Sequence, residues 1–184
     1  MNKTLIGILA ALVIIVGMFF SSYNGLVAMT ENVTGKWSQV ENQLQRRNDL
    51  IPNLVNTVKG FAAHETEVFQ AVSDARARLG GAKTVSEASA ANNEMNTALS
   101  RLLMVAENYP ELKSSTNFSQ LQDELAGTEN RIAVARRDYN QAVQGYNAKI
   151  KSLPTSLYAG MLGFEKSDYF KADEAAKNVP QVKF

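Results

Sequence analysis

Between positions 33 and 79 apolar side chains return every three or four residues. They are Val33, Trp37, Val40, Leu44, Ile51, Leu54, Val55, Val58, then Phe61 or Ala62, Val68, Phe69, Val72 and Leu79. This spacing places one apolar stripe on one face of an α-helix. A long helix with a half-apolar surface is not stable alone, so the remaining chain is expected to cover it. Pro52 interrupts the stripe; it lacks an N–H, and its ring presses on the carbonyl of Asn48. The stripe nevertheless keeps its phase from Leu44 through Ile51 to Leu54 and Val58. Pro52 is therefore expected to kink a continuous helix rather than turn a hairpin.

The first helix is expected to close near Leu79, where Gly80 and Gly81 offer a C-terminal stop. Thr84-Val85-Ser86-Glu87 has the form of a capping box and opens a second helix. Its stripe is Val85, Ala88, Met95, Leu99, Leu102 and Val105 or Ala106, and it must end before Pro110. A third helix is expected from about Asn117 to Ser152, with a near-heptad stripe that includes Phe118, Leu121, Leu125, Ile132, Tyr139, Val143 and Tyr146. Lys149 and Lys151 close it favourably for the helix dipole, and Pro154 stops it. Residues 157–164 suggest a short apolar helical turn or two. No strand pattern and no 20–50-residue repeat appears. The expected class is all-α: an N-terminal transmembrane helix, then an elongated antiparallel bundle of three long helices plus a short C-terminal helix. The expected divisions are an anchor at 1–29, a bundle at 30–165 and a tail at 166–184.

Residues 5–20 are uninterruptedly apolar, and no charge follows until Glu31. With the uncharged residues after it, the run reaches the ~20 residues that span hydrocarbon, and Tyr23 suits the headgroup boundary. No small-x-small cleavage site follows closely, so the run reads as an uncleaved single-pass anchor rather than a signal peptide. Lys3 favours an N-terminus in the cytoplasm and a domain outside it, although Lys36, Arg46 and Arg47 pull the other way.

Nineteen basic and eighteen acidic side chains leave a net charge of +1, which lacks the basic excess of a nucleic-acid binder. The absence of cysteine excludes disulfides, thiolate metal sites and cysteine nucleophiles. His64 is the one histidine, too few for the paired Glu-x-x-His motifs of a di-iron bundle, and no nucleophile elbow accompanies it. The expected catalytic, metal and cofactor sets are therefore empty.

Three groups of residues stand out. Arg46, Arg47, Asp49, Glu124, Glu129 and Arg131 form a potential polar cluster between the first and third helices. It is read chiefly as register-setting ion pairs, and secondarily as a docking patch for a partner or anionic lipid. The second group follows from lengths. At ~1.5 Å per residue, helix 33–79 reaches ~70 Å and helix 85–108 only ~36 Å. The second helix then reaches back only to about Pro52, and the third starts there and runs away from the membrane. Unless residues 157–164 cover them instead, Val33, Trp37, Val40 and Leu44 are left uncovered, which marks them for self-association. The third group is the C-terminal tail with Val179, Pro180, Val182 and Phe184. Its apolar-x-apolar-carboxylate ending suits capture by a peptide-binding domain, unless it packs back on its own bundle.

The chain also resembles the LemA family along nearly its whole length. The resemblance rests on Tyr23-Asn24-x-Leu26-Val27, Trp37-Ser38-x-Val40, Gln45-Arg46-Arg47-x-Asp49-Leu50-Ile51-Pro52-Asn53-Leu54 and Glu107-Asn108-Tyr109-Pro110-Glu111-Leu112. It rests further on Leu121-Gln122-x-Glu124-Leu125, Glu129-Asn130-Arg131-Ile132-Ala133, the pairs Tyr139-Asn140 and Tyr146-Asn147, and the ending Val179-Pro180-x-Val182-x-Phe184. That resemblance implies a bacterial single-pass membrane protein with a helical domain and no established enzymatic activity. The expected function is a non-catalytic, membrane-anchored, self-associating scaffold of the bacterial cytoplasmic membrane. The alternative is a regulatory adaptor that presents its C-terminal tail to a membrane-associated protease.

Overall fold

The apolar run and the stripe that follows it belong to one helix. In the computed structural model, which describes residues 3–171, α1 spans Lys3–Lys59 without a break, 57 residues or ~85 Å. Its two halves differ in what they bury. Residues 5–20 are exposed on every side, while from Leu26 onward the side chains at 26, 33, 40, 44, 51, 54 and 58 are buried.

Pro52 lies inside α1, as its phase predicts. The carbonyl it deprives of a helical partner, that of Asn48, instead accepts a hydrogen bond from Arg76 Nε at 3.2 Å. A lesion in one helix thus becomes the docking point of another. Replacing Arg76 with Met is expected to destabilise the fold by about 1 kcal/mol, because the carbonyl loses its only side-chain donor. In a Pro52→Ala background the backbone N–H restored at position 52 takes over that carbonyl, so the same replacement should cost close to nothing. A double-mutant cycle by urea unfolding checks this; additive effects would show that the proline and arginine are uncoupled.

The first helix does not continue to Leu79. It ends at Lys59, the chain reverses through residues 60–65, and α2 (Thr66–Gly81) returns along α1 toward the membrane end. Gly60 terminates the helix, and the turn tucks Ala62 into the core. α3 (Val85–Glu107) then ascends. The Thr84 capping box is formed: Glu87 N–H donates to Thr84 Oγ1 and Thr84 N–H donates to Glu87 Oε2, both at 3.2 Å. A single turn, α4 (Pro110–Lys113), carries the chain over the top, where Leu112 is fully buried. Finally α5 (Thr116–Lys151) descends beside α1 for the length of the bundle.

This extra reversal changes what covers the lower half of α1. α5 runs not away from the apolar run at 5–20 but toward it, and Gly145 lies against Met29. Val33, Val40 and Leu44 are therefore buried within the chain among Ile132, Ala135, Tyr139 and Val143, and Trp37 packs against the same cluster. The length argument for an uncovered stripe fails for this reason. A second cluster fills the upper end, where Ile51, Leu54 and Val58 meet Phe69 and Val72 of α2, Met95, Leu99 and Leu102 of α3, and Phe118 of α5.

Beyond α5 the expected short apolar helical segment takes the form of two 3-10 turns, Thr155–Leu157 and Gly160–Leu162. Gly163 ends the second in the left-handed region at φ 81°, a conformation that glycine adopts without a Cβ penalty. Residues 164–171 then turn back up the bundle instead of leaving it. Val179, Pro180, Val182 and Phe184 lie outside the described residues.

Candidate functional site

Two polar networks organise the bundle. The first is centred on Arg47, which occupies a stripe position between Leu44 and Ile51 and is only 5 % exposed. Its guanidinium reaches two other helices. Nη1 donates to Asn92 Oδ1 at 3.0 Å and Nη2 to Asn96 Oδ1 at 2.6 Å, both on α3, while Nη1 lies 2.9 Å from Glu129 Oε2 on α5. Burial pushes its pKa below the usual arginine value and the Glu129 charge opposes that shift, so the side chain remains a cation at neutral pH.

Of the six residues expected to form one polar cluster, only Arg47 and Glu129 are brought together. Arg46 and Glu124 are exposed on their own helices, Asp49 accepts from Gln45 one turn earlier, and Arg131 donates to Thr128 on its own helix. Asn92 and Asn96 complete the network. Asn92 falls in the α3 stripe between Ala88 and Met95, where an apolar residue would otherwise sit. Beside Arg47 a groove of about 440 Å³ separates α3 from α5, floored by Leu54 and walled by Leu99, Leu103 and Leu125.

The second network is a ladder on α5 that holds residues 164–171. Tyr146 Oη donates to the Glu165 carbonyl at 2.8 Å, and Tyr139 Oη donates to the Asp168 carbonyl at 2.7 Å. Each neighbouring asparagine makes two bonds to one residue. Asn147 Nδ2 donates to the Ser167 carbonyl at 2.9 Å while Ser167 N–H donates to Asn147 Oδ1 at 3.0 Å. Asn140 holds Phe170 in the same manner, with both bonds at 2.9 Å. Each side-chain amide thereby presents the donor and acceptor that a neighbouring β-strand would present.

The periodicities match. Seven residues of helix rise ~10.5 Å and three residues of extended chain span ~10 Å, so a seven-residue step on α5 meets a three-residue step on the peptide. Lys171 closes the ladder, its carbonyl accepting from Ser89 Oγ at 2.7 Å. Phe170 is 2 % exposed; its ring lies 6.3 Å from that of Trp37 and beneath the Arg136 guanidinium at 4.5 Å. Trp37 also packs on Tyr139 at 5.3 Å. Burial, with the Asp168 charge second, pushes the Tyr139 phenol up to about 12. The sequence places these tyrosines in the apolar stripe of the third helix, and they are buried there with their hydroxyls bonded. The role of the asparagines is the part it did not reveal.

His64 is exposed in the turn between α1 and α2. Among the described residues no three His, Asp or Glu side chains converge as a metal site. Both networks bond chiefly to the chain itself, although Asn92 Nδ2 is buried without a partner, and what they accomplish is positioning. They hold α3 and α5 to α1 and a returning peptide to α5, and α1 carries an exposed run long and apolar enough to cross a membrane.

Comparison with known proteins agrees with this architecture. The chain is 30 % identical over 182 residues to the magnetosome protein MamQ 2 of Paramagnetospirillum magneticum, covering 83 % of this chain and 66 % of that one. It thus spans just under two thirds of that relative's length. It is 29 % identical to the magnetosome protein MamQ of Magnetospirillum gryphiswaldense, covering 94 % of this chain and 74 % of that one. With the protein LemA of Metamycoplasma hominis it shares 23 % identity, over 88 % and 76 % of the two chains. The LemA family model matches residues 36–184, which include α5 with its tyrosine–asparagine ladder and the part of α1 from Lys36 to Lys59, and the chain belongs to the LemA family.

Proposed function

We propose that this protein is a non-catalytic, membrane-anchored scaffold that holds interaction surfaces at a fixed distance from a bacterial membrane and associates with copies of itself. The observation that carries this reading is the continuity of α1. The same helix supplies the apolar run and the spine of the bundle, with no loop between Lys3 and Lys59. The 35 residues from Gly25 to Lys59 would raise the turn at 60–65 about 50 Å above the bilayer. Since Val33, Trp37, Val40 and Leu44 are engaged within the chain, contact between copies falls to other surfaces. The exposed side chains of Leu103, Met104 and Val134 are available for it.

The chain contains no cysteine, so one introduced at Ala63, exposed in the turn, gives a single labelling site. Energy transfer from a dye there to acceptors in the vesicle surface should report one narrow distance near 50 Å. A broad distribution reaching the surface would refute the stiff-scaffold reading. Mass measurement of the purified full chain in nanodiscs should show more than one copy, and a strictly monomeric protein at all concentrations would remove self-association. We place the domain outside the cytoplasm on the strength of Lys3. The same cysteine should then react with a membrane-impermeant maleimide in intact spheroplasts, and labelling only after lysis would reverse the orientation.

A further inference from the structure

We propose that residues 152–163 form a second membrane contact, a loop that enters the leaflet on the domain's side next to α1. The inference rests on α1 being a membrane anchor, and four observations on the loop carry it from there.

The first is depth. The apolar run at 5–20 spans ~24 Å, short of the ~30 Å hydrocarbon core, so the next turn of α1 must lie within or at the edge of the bilayer. The loop packs at this level and below it. Tyr158 Oη donates to Ser22 Oγ at 2.5 Å, and the Tyr158 ring lies 5.1 Å from that of Phe19. Phe19 is inside the apolar run itself.

The second is composition. Ser152-Leu-Pro-Thr-Ser-Leu-Tyr-Ala-Gly-Met-Leu-Gly163 contains no charge. Leu153, Leu157 and Met161 are 77 %, 71 % and 87 % exposed, with the greater part of each side chain uncovered by the rest of the chain. Apolar side chains this exposed, continuous with a helix bare on all sides, fit hydrocarbon rather than water.

The third is the satisfaction of polar groups that lipid demands. Ser22, Thr155 and Tyr158 place their hydroxyls on one another. Much of the loop's backbone is paired as well: Ser156, Leu157, Tyr158, Ala159, Leu162 and Gly163 donate to carbonyls within the loop, and Phe164 N–H donates to Ala159.

The fourth is the cleft between loop and anchor. It measures about 900 Å³ and is lined by Ile14, Ile15, Met18 and Tyr158, with Lys149 at its edge. An apolar cleft open to the side, with an ammonium at its polar end, suits an acyl chain whose headgroup phosphate meets the lysine.

The test uses the full chain in vesicles. Trp37 is the sole tryptophan, so Trp37→Phe gives a blank background in which Leu157→Trp or Met161→Trp reports its own surroundings. Acyl-brominated phosphatidylcholine quenches only rings in contact with hydrocarbon. Quenching at 157 and 161 is expected to reach within about twofold of an Ile14→Trp control in the anchor. A Met104→Trp control on α3 should be unquenched. Quenching at 14 but not at 157 or 161 would overturn the loop contact and leave anchoring intact. An unquenched ring at 14 would overturn anchoring, and the loop contact with it.

Discussion

Replacing Arg47 with methionine is expected to destabilise the bundle by about 3–5 kcal/mol, the loss typical when one partner of a buried charge pair is removed. Methionine fills much of the same space, so the loss comes from the groups left behind. Asn92 is fully buried and would lose the donor to its Oδ1, Asn96 would lose its 2.6 Å bond, and Glu129 would lose its counter-ion. Glu129 is partly solvated as a whole, but the Oε2 that faces Arg47 is buried and would be left without a partner. Arg47→Lys should restore less than half, because one ammonium cannot address acceptors on two helices with the reach of a planar fork. A triple replacement, Arg47→Met with Asn92→Leu and Asn96→Leu, should recover part of the loss, since the two asparagines are no longer left unpaired and only the Glu129 charge remains without its partner. Guanidinium unfolding followed by circular dichroism measures all three. An Arg47→Met change below about 1 kcal/mol would mean that the network is ornamental.

The Arg47 network also shows how far such a site is readable from residues alone. Helix existence was legible: the periodicity, the Thr84 capping box, and the stops at Pro110 and Pro154 all correspond to observed features. The reversal at 60–65 was not. Val58, Ala62, Phe69 and Val72 face one core from both sides of a turn, so their spacing continues a helical count that the backbone has abandoned. Periodicity records which residues are buried, not whether the chain between them is straight. Gly60 was the available signal, because glycine at a helix end commonly closes it. From that one misreading followed the expectation that the lower stripe of α1 stood uncovered.

Arg47 and Asn92 were legible in a different sense. Each interrupts an apolar stripe, and a polar residue at such a position must find a polar partner when the stripe is buried. Reading the two interruptions together would have paired them across helices. The ladder was harder. The seven-residue repeat of Tyr139-Asn140 and Tyr146-Asn147 is plain in the sequence, but its ligand is the backbone of residues 165–170. Backbone groups are common to every segment, so nothing in the side chains of that stretch marks it as the one that is held.

Replacing Asn140 and Asn147 together with leucine should release residues 164–171 and expose the lower core. The change removes four hydrogen bonds and leaves two N–H groups and two carbonyls of the extension without partners. At ~1 kcal/mol net per bond the expected destabilisation is about 4 kcal/mol. It reaches further than the bonds, because Phe170 is seated by them on Trp37 and under Arg136. Phe170→Ala alone is expected to cost about 3–5 kcal/mol. Trp37 makes release visible without global unfolding: its emission should shift to the red and become more accessible to acrylamide in the double asparagine variant. Tyr139 adds a pH signature. Its phenol is held near 12 in the fold against 10 when free, so the stability it contributes is complete below pH 10 and is lost as pH rises toward 12. Tyr139→Phe should flatten that alkaline decline, measured as unfolding midpoints between pH 9 and 12. If the double variant keeps a shielded Trp37 and a near-native midpoint, the tyrosine–asparagine ladder is not what holds the returning peptide.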